Sequence, residues 1–190
     1  MSAPEPWTVA LPDADATEAV GAALGAVLGG GEVIALCGDL GAGKTTLVRG
    51  VAVGAGAAPE LVASPTFALV HSYPARVELT HLDLYRLVDA RELRELGFDE
   101  LLDRRDASAL VEWADRFAAH LPDDRLEITL THAGSPHARR DRPRPIERGA
   151  AHRVARAVGV GLTSAADAGG ATRPTWGIPT TGAQPTAASW

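Results

Sequence analysis

Apolar positions recur with two periods along this chain, and glycine or proline separates the segments. Residues 7–11 (Trp-Thr-Val-Ala-Leu) predict a first strand, residues 12–15 a turn, and residues 17–28 an alanine-rich helix stopped by Gly29-Gly30-Gly31. Residues 32–37 carry five consecutive apolar side chains after Glu32, the pattern of a buried strand. Residues 46–52 then predict a helix, and residues 54–59 a loop. Alternation of period two returns in residues 67–73 and 76–83, with Pro74-Ala75 between them, so these two strands are expected to pair antiparallel. From Asp89 the spacing changes to three and four. Leu93, Leu96, Phe98, Leu101 and Leu102 mark a helical face that Gly97 breaks in two. Residues 109–113 predict a short buried strand, residues 115–120 a brief helix, and residues 125–132 a last alternating strand. This order of elements predicts a three-layer α/β fold with a largely parallel sheet and an antiparallel hairpin over residues 67–83.

The texture changes after Ala133. Residues 134–145 are rich in arginine and proline, and residues 159–190 consist mostly of Gly, Ala, Thr and Pro. Such sequence buries too little apolar surface to offset its ordering entropy, which divides the chain into a domain over residues 1–133 and a largely disordered tail over residues 134–190. Residues 150–158 are open to a short basic helix or a terminal strand. Charge follows the same division. The first part holds 10 basic residues against 21 acidic ones, a net of −11, and the tail holds 8 against 3, a net of +5. A domain this acidic lacks the electrostatic footprint needed to grip nucleic acid alone, so any RNA would be held by another protein. One cysteine, Cys37, excludes an internal disulfide framework and reads as a small buried hydrophobe. Neither a signal peptide nor an apolar stretch of membrane-spanning length occurs, so a soluble cytoplasmic protein without membrane association is expected.

Lysine occurs once among 18 basic residues, within Gly38-Asp39-Leu40-Gly41-Ala42-Gly43-Lys44-Thr45-Thr46. That segment fits the phosphate-binding pattern G-x-x-x-x-G-K-[ST], and it lies where the pattern requires, between a predicted strand and a predicted helix. In such a loop the backbone N–H groups around Gly41, Ala42 and Gly43 turn towards phosphate oxygens, with Thr46 continuing into the helix N-terminus. Lys44 would reach the β- and γ-phosphates, and the Thr45 hydroxyl would face Mg²⁺. The guanine-reading N-K-x-D motif is impossible, because Lys44 has no second copy to supply it. This tilts the expected ligand towards ATP with Mg²⁺, an unusual GTP site being the alternative.

Hydrolysis needs further groups to hold Mg²⁺ and to orient a nucleophile. Asp83 ends an alternating strand, placed either as a carboxylate ligating Mg²⁺ or as an ordinary surface aspartate. Glu112 ends Ala-Leu-Val-Glu, at the carboxyl end of a strand expected to face the phosphates, either as a metal or water-orienting group or as a plain capping acid. Ser64-Pro65-Thr66 reads either as a switch segment whose Thr66 hydroxyl reaches Mg²⁺ or as a simple turn. His71 and His81 read as structural histidines.

Together, the glycine loop, Ser64-Pro65-Thr66-Phe67, His81-Leu82-Asp83-Leu84-Tyr85-Arg86-Leu87 and Val111-Glu112-Trp113 resemble, in this order, the TsaE (YjeE) family over roughly residues 7–133. The glycine loop alone is generic; S-P-T-F, H-x-D-L-Y-R and E-W at these spacings are specific. The resemblance implies the small ATPase of bacterial tRNA threonylcarbamoyladenosine synthesis. Such an ATPase joins TsaB–TsaD and drives threonylcarbamoyl transfer to the adenosine beside the anticodon, touching tRNA only through its partners. It implies Lys44 and Thr45 as phosphate and Mg²⁺ contacts, Thr66 as the switch residue, Asp83 as the Walker B acid and Glu112 as a further Mg²⁺-site acid. Trp113 and Thr17 would lie near the nucleotide. The chain departs from the family at Ala114, where proline usually follows E-W, and in its long C-terminal segment. A nucleotide-gated assembly scaffold and a small P-loop metabolite kinase are the rival functions. The kinase lacks an arginine-rich lid within residues 1–133.

Overall fold

The computed structural model describes residues 9–132. The predicted tail from residue 134 and Trp7-Thr8 of the predicted first strand lie outside them. Residues 9–11, the rest of that strand, have no strand partner and lead irregularly to Asp13. Asp13 caps the first helix, α1 (Ala14–Gly25), by accepting from the Ala16 N–H at 2.8 Å. The helix therefore starts three residues earlier than the apolar pattern predicts, because Asp13 satisfies an end N–H group. It also ends before the triple glycine. Gly30 and Gly31 instead take left-handed φ values of 99° and 82° in the turn to the sheet, where Glu32 accepts from both the Gly29 and Gly30 amides.

Strand β1 (Val33–Cys37) is buried along its whole length. Helix α2 (Lys44–Ala55) follows, then a 3-10 turn at Pro59–Leu61. The hairpin is shorter than the alternation suggests: β2 is Val70–Tyr73 and β3 is Glu78–Asp83. Leu69, at φ 65°, bends the chain into it. Helices α3 (Ala90–Glu95) and α4 (Phe98–Leu102) are split by Gly97, whose φ of 70° only glycine adopts freely. Strand β4 (Ala107–Glu112) precedes a 3-10 segment, Ala114–His120, kinked at Phe117 rather than forming the regular helix expected. Strand β5 (Leu126–Thr129) closes the described chain.

The sheet order is β2-β3-β4-β1-β5, with β3, β4, β1 and β5 parallel and β2 antiparallel to β3. The predicted three-layer α/β architecture is thus borne out. Period-two alternation divides the strand side chains between two cores. Ile34, Leu36, Leu79 and Leu110 pack with α1 and α2; Val33, Ala35, Ala109 and Val111 pack with Phe98, Leu102 and Phe117 on the opposite face. The same alternation sends His81, Asp83 and Glu112 to the α2 face. Among the described residues, no helix is long and apolar enough to cross a membrane.

The two helices on that face meet through glycine on both sides. A Cβ added at Gly21 would sit 2.9 Å from Val51 N, one at Gly25 2.8 Å from Ala55 N, and one at Gly50 2.9 Å from Glu18 Cα. Each is too close for a carbon. Gly21 and Gly25 on α1, and Gly50 and Gly54 on α2, are each spaced i and i+4, so they form one seam.

Candidate functional site

The loop from β1 to α2 depends on three glycines. Gly38, Gly41 and Gly43 have φ values of 127°, 78° and 101°, which side-chain-bearing residues rarely adopt. Ala42 N–H donates to Asp39 O at 3.2 Å and closes the turn. A Cβ on Gly38 would also run into the Leu130 carbonyl. Gly43 caps α2 without any side-chain bond, and Thr46 lies in the helix's first turn. Above Gly43 the loop is flanked by Thr17: a Cβ on Gly43 would lie 3.9 Å from Thr17 Cγ2. Thr17 itself is buried, its hydroxyl donating to Asp13 O at 3.0 Å.

Lys44 is only 4% exposed. Its ammonium donates to Gly38 O at 2.7 Å and Asp39 O at 2.8 Å, and it lies 3.7 Å from the centroid of the Trp113 ring. Burial pulls its pKa below the ordinary lysine value, against the attraction of Glu112, Asp115, Asp83 and Asp39. Trp113 holds this position with φ at 60°, a left-handed conformation immediately after β4. A non-glycine residue in that region stores about 1–3 kcal/mol of strain and turns up disproportionately at functional sites. The Tyr85 ring packs on Trp113, centroids 4.9 Å apart, and Arg116 pins the turn by donating to the Leu84 and Tyr85 carbonyls.

Asp83 and Glu112 are register partners at the ends of adjacent parallel strands, each 3% exposed. Glu112 accepts from the Thr45 hydroxyl at 2.9 Å (Oε1) and 3.2 Å (Oε2), and its Oε1 lies 2.9 Å from His81 Nε2. Asp83 Oδ2 accepts from Thr66 Oγ1 at 2.6 Å and Ser64 Oγ at 3.2 Å, while Oδ1 accepts from Tyr85 N–H at 2.9 Å. Each predicted acid therefore sits against a predicted hydroxyl, Thr45 on Glu112 and Thr66 on Asp83. Lys44 and Trp113 share the same end of the sheet. All the predicted positions converge there.

Sequence reasoning missed three contributors. His81 is a buried, satisfied histidine, but its partner is the site carboxylate. Tyr73 stands behind it, and Arg116 shapes the Tyr85 turn. Of these only His81 carries a signal, through H-x-D-L-Y-R.

The family model for "Threonylcarbamoyl adenosine biosynthesis protein TsaE" matches residues 11–141. The chain is 40% identical to the tRNA threonylcarbamoyladenosine biosynthesis protein TsaE of Bacillus subtilis over 129 residues, covering 67% of this chain and 78% of that one. It is 35% identical to the protein of the same name from Mycobacterium tuberculosis over 133 residues, covering 65% and 77%. The crystal structure of Bacillus subtilis YdiB matches with a TM-score of 0.52 and 33% identity, covering 68% of this chain and 77% of that one.

Proposed function

This chain belongs to the TsaE family of tRNA threonylcarbamoyladenosine biosynthesis, and from that premise we propose that it is a Mg²⁺-dependent ATPase acting on a TsaB–TsaD complex. The observation that carries the reading is Lys44: a buried ammonium, alone of its kind in the chain, held by main-chain carbonyls inside a glycine loop. Among the described residues no carboxylate is in ion-pair contact with it, and a bound anion would offset the cost of burying the charge. The left-handed conformations of Gly41 and Gly43 support that reading, because anion-binding nests of backbone N–H groups are built from such turns.

In this reading Lys44 leaves the Gly38 and Asp39 carbonyls for the β- and γ-phosphates, and the α2 N-terminus adds its dipole. Thr17 and Trp113 border the nucleotide. Thr45, Thr66, Asp83 and Glu112 would hold Mg²⁺, which would supply neutralisation of phosphate charge. Among the described residues no three acids, histidines or cysteines cluster to make a metal cage. Single carboxylates beside hydroxyls instead suit a cation that keeps waters and shares its shell with phosphates. Lys44, Asp83 and Glu112 carry the catalytic roles, with Glu112 orienting the attacking water or supporting the metal site. Such sites gain most of their rate from positioning and charge stabilisation. Turnover alone is expected to be slow and to rise when TsaB–TsaD binds. The net charge of −11 over residues 1–133 supports contact with tRNA through the partners rather than directly.

Reconstitution with TsaB, TsaD and tRNA tests this. Wild type should hydrolyse ATP faster with the partners and support tRNA modification, and Lys44→Ala should do neither. Indistinguishable turnover with and without TsaB–TsaD would refute the coupling. If Glu112→Gln abolished hydrolysis and modification still persisted, the protein would be a nucleotide-gated scaffold instead.

A further inference from the structure

We propose that His81 and Tyr73 are positioning residues that hold the Glu112 carboxylate and tie it to the backbone entering the Ser64–Thr66 segment. The kinetic consequence rests on the ATPase reading above; the tie itself does not.

His81 is in mid-strand on β3, fully buried, on the face shared with Leu79 and Asp83. Its imidazole spans two partners, Glu112 Oε1 at 2.9 Å from Nε2 and the Tyr73 hydroxyl at 3.0 Å from Nδ1. Tyr73 lies diagonally across the hairpin, where long side chains on one face meet. The Tyr73 O–H donates to the Ala63 carbonyl at 2.7 Å. Ala63 is followed by Ser64 and Thr66, whose hydroxyls both donate to Asp83. The two register-paired carboxylates therefore grip one segment from both sides. Asp83 does so directly, and Glu112 through two buried rings.

The direction of the Tyr73 bond is fixed by its donor. Tyr73 has a single O–H, which burial keeps protonated by raising its pKa, and a carbonyl oxygen can only accept. With that O–H turned to Ala63 O, the phenol oxygen presents its lone pairs to His81 Nδ1, and Nε2 faces Glu112. The ring cannot flip without losing both contacts. Thr45 is the other side chain holding Glu112. When its hydroxyl serves a bound nucleotide, His81 is what keeps the carboxylate in place.

Two readouts test this. In nucleotide-free protein, the imidazole ¹⁵N resonances of His81, assigned by their loss in His81→Gln, should shift both in Tyr73→Phe and in Glu112→Gln. An unchanged spectrum in either variant would overturn the tie. In ATPase assays with TsaB–TsaD, Tyr73→Phe should lower kcat roughly 10-fold with KM little changed, the usual scale for an outer group orienting a metal-site ligand. His81→Gln places an amide donor where Nε2 stood and should retain more turnover than His81→Asn, which serves only the Tyr73 side. Equal activity of these two variants, or full kcat in Tyr73→Phe, would overturn the positioning role. Should the His81 variants fail to fold, Tyr73→Phe decides through both readouts. If wild type itself showed no partner-stimulated hydrolysis, the ATPase reading would fall while the NMR result still judged the tie.

Discussion

Gly54→Ala puts the fold's supporting geometry to a direct test. Alanine is worth about 1 kcal/mol over glycine inside a helix, so propensity alone predicts stabilisation. The seam between α1 and α2 predicts the opposite. A Cβ at Gly54 would stand 2.7 Å from both Ala22 C and Ala22 Cα, and closer still to the Ala22 carbonyl oxygen. All three are backbone atoms, which cannot rotate away. Ordinary contact begins near 3.4 Å, so the helices must part by roughly 1 Å, loosening the contacts at Gly21, Gly25 and Gly50 as well. Overpacking of this kind costs about 1–3 kcal/mol, and rigid neighbours put this site at or beyond the upper end. After the propensity gain, a net loss of about 2 kcal/mol remains. For a domain of this size each kcal/mol lowers Tm by roughly 3–6 °C, giving a fall of about 6–12 °C by circular dichroism. Gly29→Ala is the control, since its Cβ would meet only the Glu32 carboxylate at 3.6 Å, and it should change stability by no more than about 0.5 kcal/mol. An equal or higher Tm for Gly54→Ala would refute the reasoning. The seam also seats Thr17 beside Gly43, so nucleotide affinity should fall with stability.

Two further outcomes follow from the buried groups. Burial pushes the Cys37 thiol from an ordinary 9.0 up to about 12, with Glu127 and Asp115 adding repulsion. The thiol should therefore resist iodoacetamide at pH 8 until the protein unfolds, and rapid alkylation of native protein would contradict this. The unfolded chain loses this proton first as pH rises, so Cys37's contribution is complete below pH 9 and disappears as pH passes through about 12. Asp83→Asn can offer an acceptor either to Tyr85 N–H or to the Ser64 and Thr66 hydroxyls, but not to both sides. A loss of about 1–3 kcal/mol in urea unfolding and faster proteolysis within residues 62–69 are expected, and stability within about 0.5 kcal/mol of wild type would argue against the Asp83 clasp.

Where local chemistry set the structure, the sequence was readable. Five apolar residues made β1, alternation made the hairpin, and the glycine pattern made the loop from β1 to α2 because other residues rarely adopt its φ values. Asp83 and Glu112 were legible as strand-end acids facing the loop. Relations across distance were not. Nothing in the spacing of Gly21, Gly25, Gly50 and Gly54 says that two helices will meet backbone to backbone there. His81 and Glu112 are 31 positions apart, and their meeting depends on the register between β3 and β4. The left-handed Trp113 carries no sequence signal, because it is imposed by packing over Lys44 rather than by its own preference. The start of α1 differs from the sequence expectation for another reason: Asp13 fits a turn by composition, but its carboxylate caps the helix.

Isothermal titration of the folded protein with Mg²⁺-ATP and with Mg²⁺-ADP, in the presence of TsaB–TsaD, bears most directly on the phosphate site. Wild type should release or absorb heat at a stoichiometry of about one nucleotide per chain, and Lys44→Ala should bind at least about tenfold more weakly, the loss of roughly 1.4 kcal/mol or more expected for removing a charged phosphate contact. No heat with either nucleotide, or the same affinity without Lys44, would contradict the assignment of this loop to a triphosphate.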